Sequence, residues 1–427
     1  MSELFEGLAF SPADILLPVE CEYTKWSVVA CDQYTSQPEY WQRVEEFVGS
    51  APSALRLILP ESCLDGPNVE TDIMEINNTM TRYLREGRFR TLPGALIYVE
   101  RTLKNGKVRR GLVGMVDLEQ YDYEPGAPSA VRATEGTVMS RIPPRVAVRK
   151  NAPIELPHIM LLCDDPEQTV IEPLGERKGS MELLYDFDLM EDGGHLTGWL
   201  LDEASAARTA AALRALFDPA AFQARYGLEP GIPVLQFAVG DGNHSLATAR
   251  ECYERQKRLT DPAHWAELPS RYALCEVVDL HDDSLEFEPI HRVVFDVNGK
   301  DLLASLRQSF PSSHNGEGAG HVLRYVWAGG EGAVTVPSPE QQLPAATLQT
   351  FLDGYVKEHG GSVDYIHGAD VAQDLGRRSG NMAFLLPPMG KDELFPTVIH
   401  DGVLPRKTFS MGQANDKRFY LEARRIR

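Results

Sequence analysis

Long apolar runs are missing from this chain of 427 residues: no stretch reaches the roughly 18 apolar residues that a membrane-spanning helix needs. The start, Met1-Ser2-Glu3-Leu4-Phe5-Glu6, has neither the basic opening nor the apolar centre of a secretory signal. Positive charge is scarce. Against 62 Asp and Glu stand 42 Lys and Arg, a net charge of −20. Such a surface repels phosphate backbones and anionic lipid, so neither nucleic acid nor a membrane is an expected partner. Cysteine is sparse too. Cys21, Cys31, Cys63, Cys163, Cys252 and Cys275 include no C-x-x-C pair, and several sit in apolar runs, which fits reduced core thiols and a cytoplasmic location.

Familiar catalytic signatures are absent as well. The chain has no Walker A loop, no H-E-x-x-H and no G-x-S-x-G. Gly316-x-Gly318-x-Gly320 follows no strand, and His281-Asp282-Asp283 has no spaced partners, so no metal held by the protein alone is expected.

What is present suffices for two to three domains at about 150 residues each. Strand-like runs at Lys25–Cys31, Leu55–Leu59, His158–Leu162 and Pro233–Val239 are interleaved with helical spacing at Pro38–Val48, Val69–Tyr83, Glu203–Phe217 and Leu246–Lys257. Asn105-Gly106 predicts one hairpin and Asp192-Gly193-Gly194 another. Ser36 and Glu39 form a capping-box pattern around Pro38. Hairpins among crossovers predict a mixed α/β (α+β) fold with flanking helices, not a purely doubly wound sheet. The expected division is a larger lobe over 1–295 and a smaller C-terminal α/β lobe over 296–427 that packs against it.

The sharpest motif is Val239-Gly240-Asp241-Gly242-Asn243-His244-Ser245. A strand ends, glycines turn the chain, and a helix opens with its first amides unpaired, which makes a cradle for an anion. Gly240, Gly242, Asn243 and Ser245 would hold phosphate, while Asp241 and His244 supply a carboxylate and an imidazole beside it. The plainer reading is a braced turn with a capped helix.

A basic segment is the second candidate. Arg132, Arg141, Arg145, Arg149 and Lys150 are five cations in an otherwise acidic chain, with Glu135 between them as a base or metal contact. Pro143-Pro144 suggests a non-helical path there. Asp32 and Tyr34 precede a helix start, His195 follows a turn, and Lys407 lies near the C-terminus. Each of these four can reach a ligand, although turn-forming and solvent exposure also account for them.

Over nearly its whole length the chain resembles a bacterial and archaeal family of unknown function, DUF1015. The resemblance rests on Trp26–Ser36, Val131–Thr137, Gly240–Ser245, Ile290-His291-Arg292 and Leu404–Thr408. The Asp241-Gly242-x-His244 loop is also similar to the phosphate loop of the ParB and sulfiredoxin superfamily, which includes ADP-dependent free-serine kinases. That likeness implies a ParB-like core around Gly240–Ser245 and nucleotide phosphates bound there. Asn243 and Ser245 depart from the more usual His-His-Arg ending, which removes an arginine that Arg132, Arg141 or Arg145 would have to replace.

The resulting expectation is a phosphoryl-transfer enzyme, kinase- or phosphatase-type, acting on a small hydroxylated metabolite, serine-like molecules being among the candidates, with magnesium arriving alongside ATP or ADP. Asp241, His244 or Glu135 would supply the base or the magnesium contact. The competing expectation is a regulator that binds a nucleotide or phosphometabolite without chemistry.

Overall fold

The computed structural model describes residues 2–64 and 66–427. Residues up to Leu285 together with Gln413–Arg427 form one compact unit, and Glu286–Gly412 form a second. The division therefore falls ahead of the strand that ends at Phe295, not after it. The last segment of the chain, which the 1–295/296–427 division gives to the C-terminal lobe, belongs to the first unit. The reason is pairing: Phe287–Phe295 bonds only to strands of the second unit, whereas Phe419–Tyr420 pairs with Val28–Val29 and Arg424–Arg425 with Ile154–Glu155.

The first unit is built on a ten-stranded sheet. Its strands are β1 (Phe10–Ser11), β2 (Ile97–Thr102), β3 (Val108–Asp117), β4 (Tyr121–Asp122), β5 (Val131–Ala133), β6 (Met160–Cys163), β7 (Glu182–Asp188), β8 (His195–Leu200), β9 (Phe237–Asp241) and β10 (Tyr272–Asp279). They run in the order β7-β8-β2-β3-β10-β6-β9-β5-β4, with β1 on β3. The pairs β6/β10, β9/β5 and β5/β4 are parallel and the others antiparallel, so the sheet is mixed, as the interleaved pattern predicts. Alternation along β2 sends Ile97 and Val99 into one core and Tyr98, with Leu96 just before the strand, into another, so both faces are covered.

Helix α1 (Pro38–Val48) and helix α2 (Val69–Arg85) lie where helical spacing predicts them. Four local expectations fail. Gln37, not Ser36, caps α1, and it makes no side-chain cap bond. Lys25–Cys31 is not one strand: a helical turn, Tyr23–Trp26, precedes two strand residues. Leu55–Leu59 is not a strand: it holds a 3-10 turn, Ala54–Leu57, because the Ser53 hydroxyl accepts from the Leu55 amide and curls the chain. Pro143-Pro144 opens helix α3 (Ile142–Arg149) instead of barring one, since a proline in the first turn gives up no helical hydrogen bond. Helix α4 (Asn243–Lys257) starts before Leu246 and packs Ala247 and Cys252 against Ile142 and Val146 of α3.

The second unit carries a seven-stranded sheet containing Phe287–Phe295, His321–Trp327, Gly330–Val336, Ser362–His367 and Met382–Leu385, covered by a helix over Pro344–His359. Among the described residues no helix is long and apolar enough to cross a membrane.

Candidate functional site

The site grows from the end of β9. Asp241 lies opposite Met160 of β6, and Gly242 then turns the chain at φ 81 and ψ 26. Only glycine suits that position: a Cβ there would be strained by the left-handed backbone and would stand 3.1 Å from the Ile159 Cα. The Asp241 carboxylate accepts from the Gly242 amide at 2.8 Å, bracing the turn.

The first helical bond of α4 runs from the Leu246 amide to the Gly242 carbonyl, and no side chain caps the helix. Among the described residues, the amides of Asn243, His244 and Ser245 therefore donate to no protein acceptor. The Asn243 side chain is used elsewhere. Its oxygen accepts from the Thr134 amide at 3.2 Å, clipping the end of β5 to the helix.

Four groups from distant parts of the chain converge beside this opening. His158, just before β6, is buried. Its Nδ1 lies 2.8 Å from the Tyr420 hydroxyl, and its Nε2 lies 3.4 Å from the Ser245 hydroxyl and 3.6 Å from the Asp32 carboxylate. The Tyr420 oxygen also accepts from the Cys31 amide and donates to the Cys31 sulfur, each at 3.1 Å. Tyr420 thus ties the His158 ring to Cys31 and holds it in place. Burial opposes a charge on His158, but the Asp32 and Asp241 carboxylates outweigh it and raise its pKa. For Asp32, burial pulls upward and is overcome by His158, Gln33 and Lys417, which hold the carboxyl well below its usual range. His158 is thus favoured as an imidazolium whose Nε2 hydrogen faces Asp32 and Ser245. A serine-protease arrangement is excluded, because the carboxylate shares Nε2 with the serine when it should hold Nδ1.

Lys417 lies 3.3 Å from Asp241. Arg145 of α3 pairs with Glu61 and donates to the Arg141 carbonyl. Burial, followed by the charges of Arg145 and Arg141, pushes His244 down to about 4. His244 is accordingly a neutral imidazole at pH 7, and its Nε2 accepts from the Val138 amide at 3.3 Å.

The structure thus brings together Asp32, Arg141, Arg145, Gly240, Asp241, Gly242, Asn243, His244 and Ser245. Glu135 is half-buried in the loop between β5 and the turn Met139–Arg141. Arg132 points elsewhere: it is buried, and its Nε donates to the Ser129 carbonyl. Tyr34 stacks on Tyr40 with 3.7 Å between ring centres. His195 is held between Asp186 and Asp188 at 2.6 and 2.7 Å. Lys407 belongs to the second unit, where its ammonium lies over the Tyr365 ring. Sequence reasoning missed His158, Lys417 and Tyr420 as site residues. The available signal was a histidine opening a wholly apolar strand. Among the described residues, no group of three or more His, Cys, Asp or Glu is placed to hold a metal ion.

Among curated proteins, none matches this chain. Similar solved structures include a point mutant of a free serine kinase in complex with AMP, at 12% identity and a TM-score of 0.38, covering 74% of this chain and 92% of that one. A mutant of free serine kinase in complex with ADP gives 11% and 0.38 over 74% and 92%. C-terminally truncated SbnI from Staphylococcus aureus gives 10% and 0.35 over 72% and 82%. At these scores no ligand or reaction is carried over to this chain. A family profile matches as well. It matches residues 15–355, and the chain belongs to that family, described as a protein of unknown function (DUF1015).

Proposed function

We propose that the turn Gly240–Ser245 binds a phosphate group and that the first unit transfers or removes that group on a small hydroxylated metabolite. One observation carries this reading: three unpaired amides open a helix of 15 residues beside the cations Lys417 and Arg145. Such amides are rigid donors, and the helix dipole adds to them. His158 handles the proton. As an imidazolium it donates to the oxygen that leaves phosphorus, and in the reverse direction it takes that proton from the attacking hydroxyl. Tyr420 and Asp32 keep its ring in place. Asp32 and Asp241 are hard oxygen donors, suited to a magnesium ion carried in by ATP or ADP, which would neutralise phosphate charge.

The test incubates the full chain with ATP or ADP, magnesium and a pool of hydroxylated metabolites, then follows phosphate esters by phosphorus NMR. Esters should form or disappear, and His158→Gln should slow this at least tenfold. No turnover with any pair would refute the enzymatic reading. A second reading, a phosphometabolite-binding regulator, draws on the internal pairing of Asp241 with Lys417, which leaves Asp241 no free role as a base. Binding without turnover would favour it.

A further inference from the structure

Next to His158 the first unit contains a cavity of about 160 Å³. Most of its wall is hydrocarbon, including Leu57, Leu59, Met80, Val148, Ile154 and Leu156. Asp32, His158, Ser245 and Tyr420 also line it, and since the other three each contact His158 they form one polar cluster on its wall. The remaining charges on the wall are matched within the protein. Arg145 pairs with Glu61, and Glu155 is shared by Arg149, Arg424 and the Leu274 amide.

A guest in this cavity therefore meets an apolar surface with a proton-handling group in that cluster and no unmatched charge elsewhere. A zwitterionic amino acid would have to bury an ammonium and a carboxylate without counter-charges, which costs more than the remaining contacts return. A hydrocarbon suits the space, because an apolar cavity of about 150 Å³ holds a benzene-sized group.

Resting on the phosphate reading above, we infer that the acceptor is amphiphilic: a hydroxyl or phosphate ester lies at His158 and a hydrocarbon group of about six carbons fills the cavity. The substrate class is then an aliphatic or aromatic alcohol, or its phosphate ester, and not a serine-like molecule.

Two homologous series test this on the full chain by calorimetry: n-alkyl phosphates from methyl to octyl with inorganic phosphate as reference, and the matching n-alcohols. Affinity in the phosphate series should rise about threefold to fourfold per methylene and level off near six carbons. Ala152→Phe, which projects a ring from the cavity wall, should abolish the rise and leave inorganic phosphate binding unchanged. Phosphate binding with no chain-length dependence overturns the inference and spares the phosphate reading. Chain-length dependence among the alcohols that Ala152→Phe removes, without any phosphate binding, supports the cavity and overturns the phosphate reading. If Ala152→Phe does not fold, the two wild-type series decide alone.

Discussion

The Lys417 ammonium stands 3.3 Å from the Asp241 carboxylate, joining the tail of the chain to the turn that opens α4. The tail is held by buried arginines. Arg101 donates to the Lys417 and Asn415 carbonyls, Arg109 donates to the Asp416 carbonyl, and Arg418 bonds Glu276 at 2.8 Å and Glu422 at 2.7 Å. A phosphate at the Asn243–Ser245 amides would thus meet a cation delivered from far along the chain.

Replacing that cation gives the first prediction. Lys417→Met removes a charge-assisted partner and leaves Asp241 to repel an anion, so affinity for inorganic phosphate should fall roughly 10- to 100-fold. Isothermal calorimetry at fixed ionic strength reads this directly. Unchanged affinity would remove Lys417 from the site.

The two histidines should show opposite pH signatures. His158 has a folded pKa raised above its usual 6.5, so its contribution to stability is full below 6.5 and disappears as pH rises through the folded value. His244 is pushed down to about 4, so its contribution is full above 6.5 and fades as pH falls towards 4. In thermal unfolding between pH 4 and 9, the deficit of His158→Gln should shrink on the alkaline side and that of His244→Gln on the acidic side. Parallel pH profiles for the two variants would contradict the charge states assigned to them.

Arg418 is a positioning residue. It is buried between two carboxylates and also donates to the Pro157 carbonyl, next to His158. Arg418→Met takes the nearest counter-charge from both carboxylates, leaving Glu276 with Arg109 at 3.8 Å and Glu422 with the Tyr185 hydroxyl, and should cost about 3–5 kcal/mol in urea unfolding. A purely structural role would stop there. If the tail sets Lys417 and Tyr420, the folded fraction should also bind phosphate more weakly, and the His158 NMR titration should shift. Normal binding by the folded protein would restrict Arg418 to stability.

Sequence reasoning reached what short-range chemistry encodes. Asn105-Gly106 gave the hairpin β2/β3, and Gly240–Ser245 read as a strand–turn–helix because glycine and the first helical turn are local signals. The charge pattern picks out Arg141 and Arg145, whose charges reach His244, although the two prolines between them open a helix and do not bar one. Arg132 was grouped with them by proximity along the chain, but in β5 its side chain is buried and its Nε turns back to the Ser129 carbonyl. His158 and Tyr420 touch across 262 residues, and no local pattern encodes such a pairing. The tail that supplies Tyr420 and Lys417 also rejoins the first unit after the whole of the second, which hides its role from any reading that runs along the chain.

The most direct test is a backbone amide NMR titration of the full chain with inorganic phosphate and with ADP. The amides of Asn243, His244 and Ser245 should shift with a common saturation curve, and Lys417→Met should weaken that curve without moving its sites. If phosphate or ADP binds while those three amides stay still, the anion sits elsewhere and the assignment of this turn is wrong.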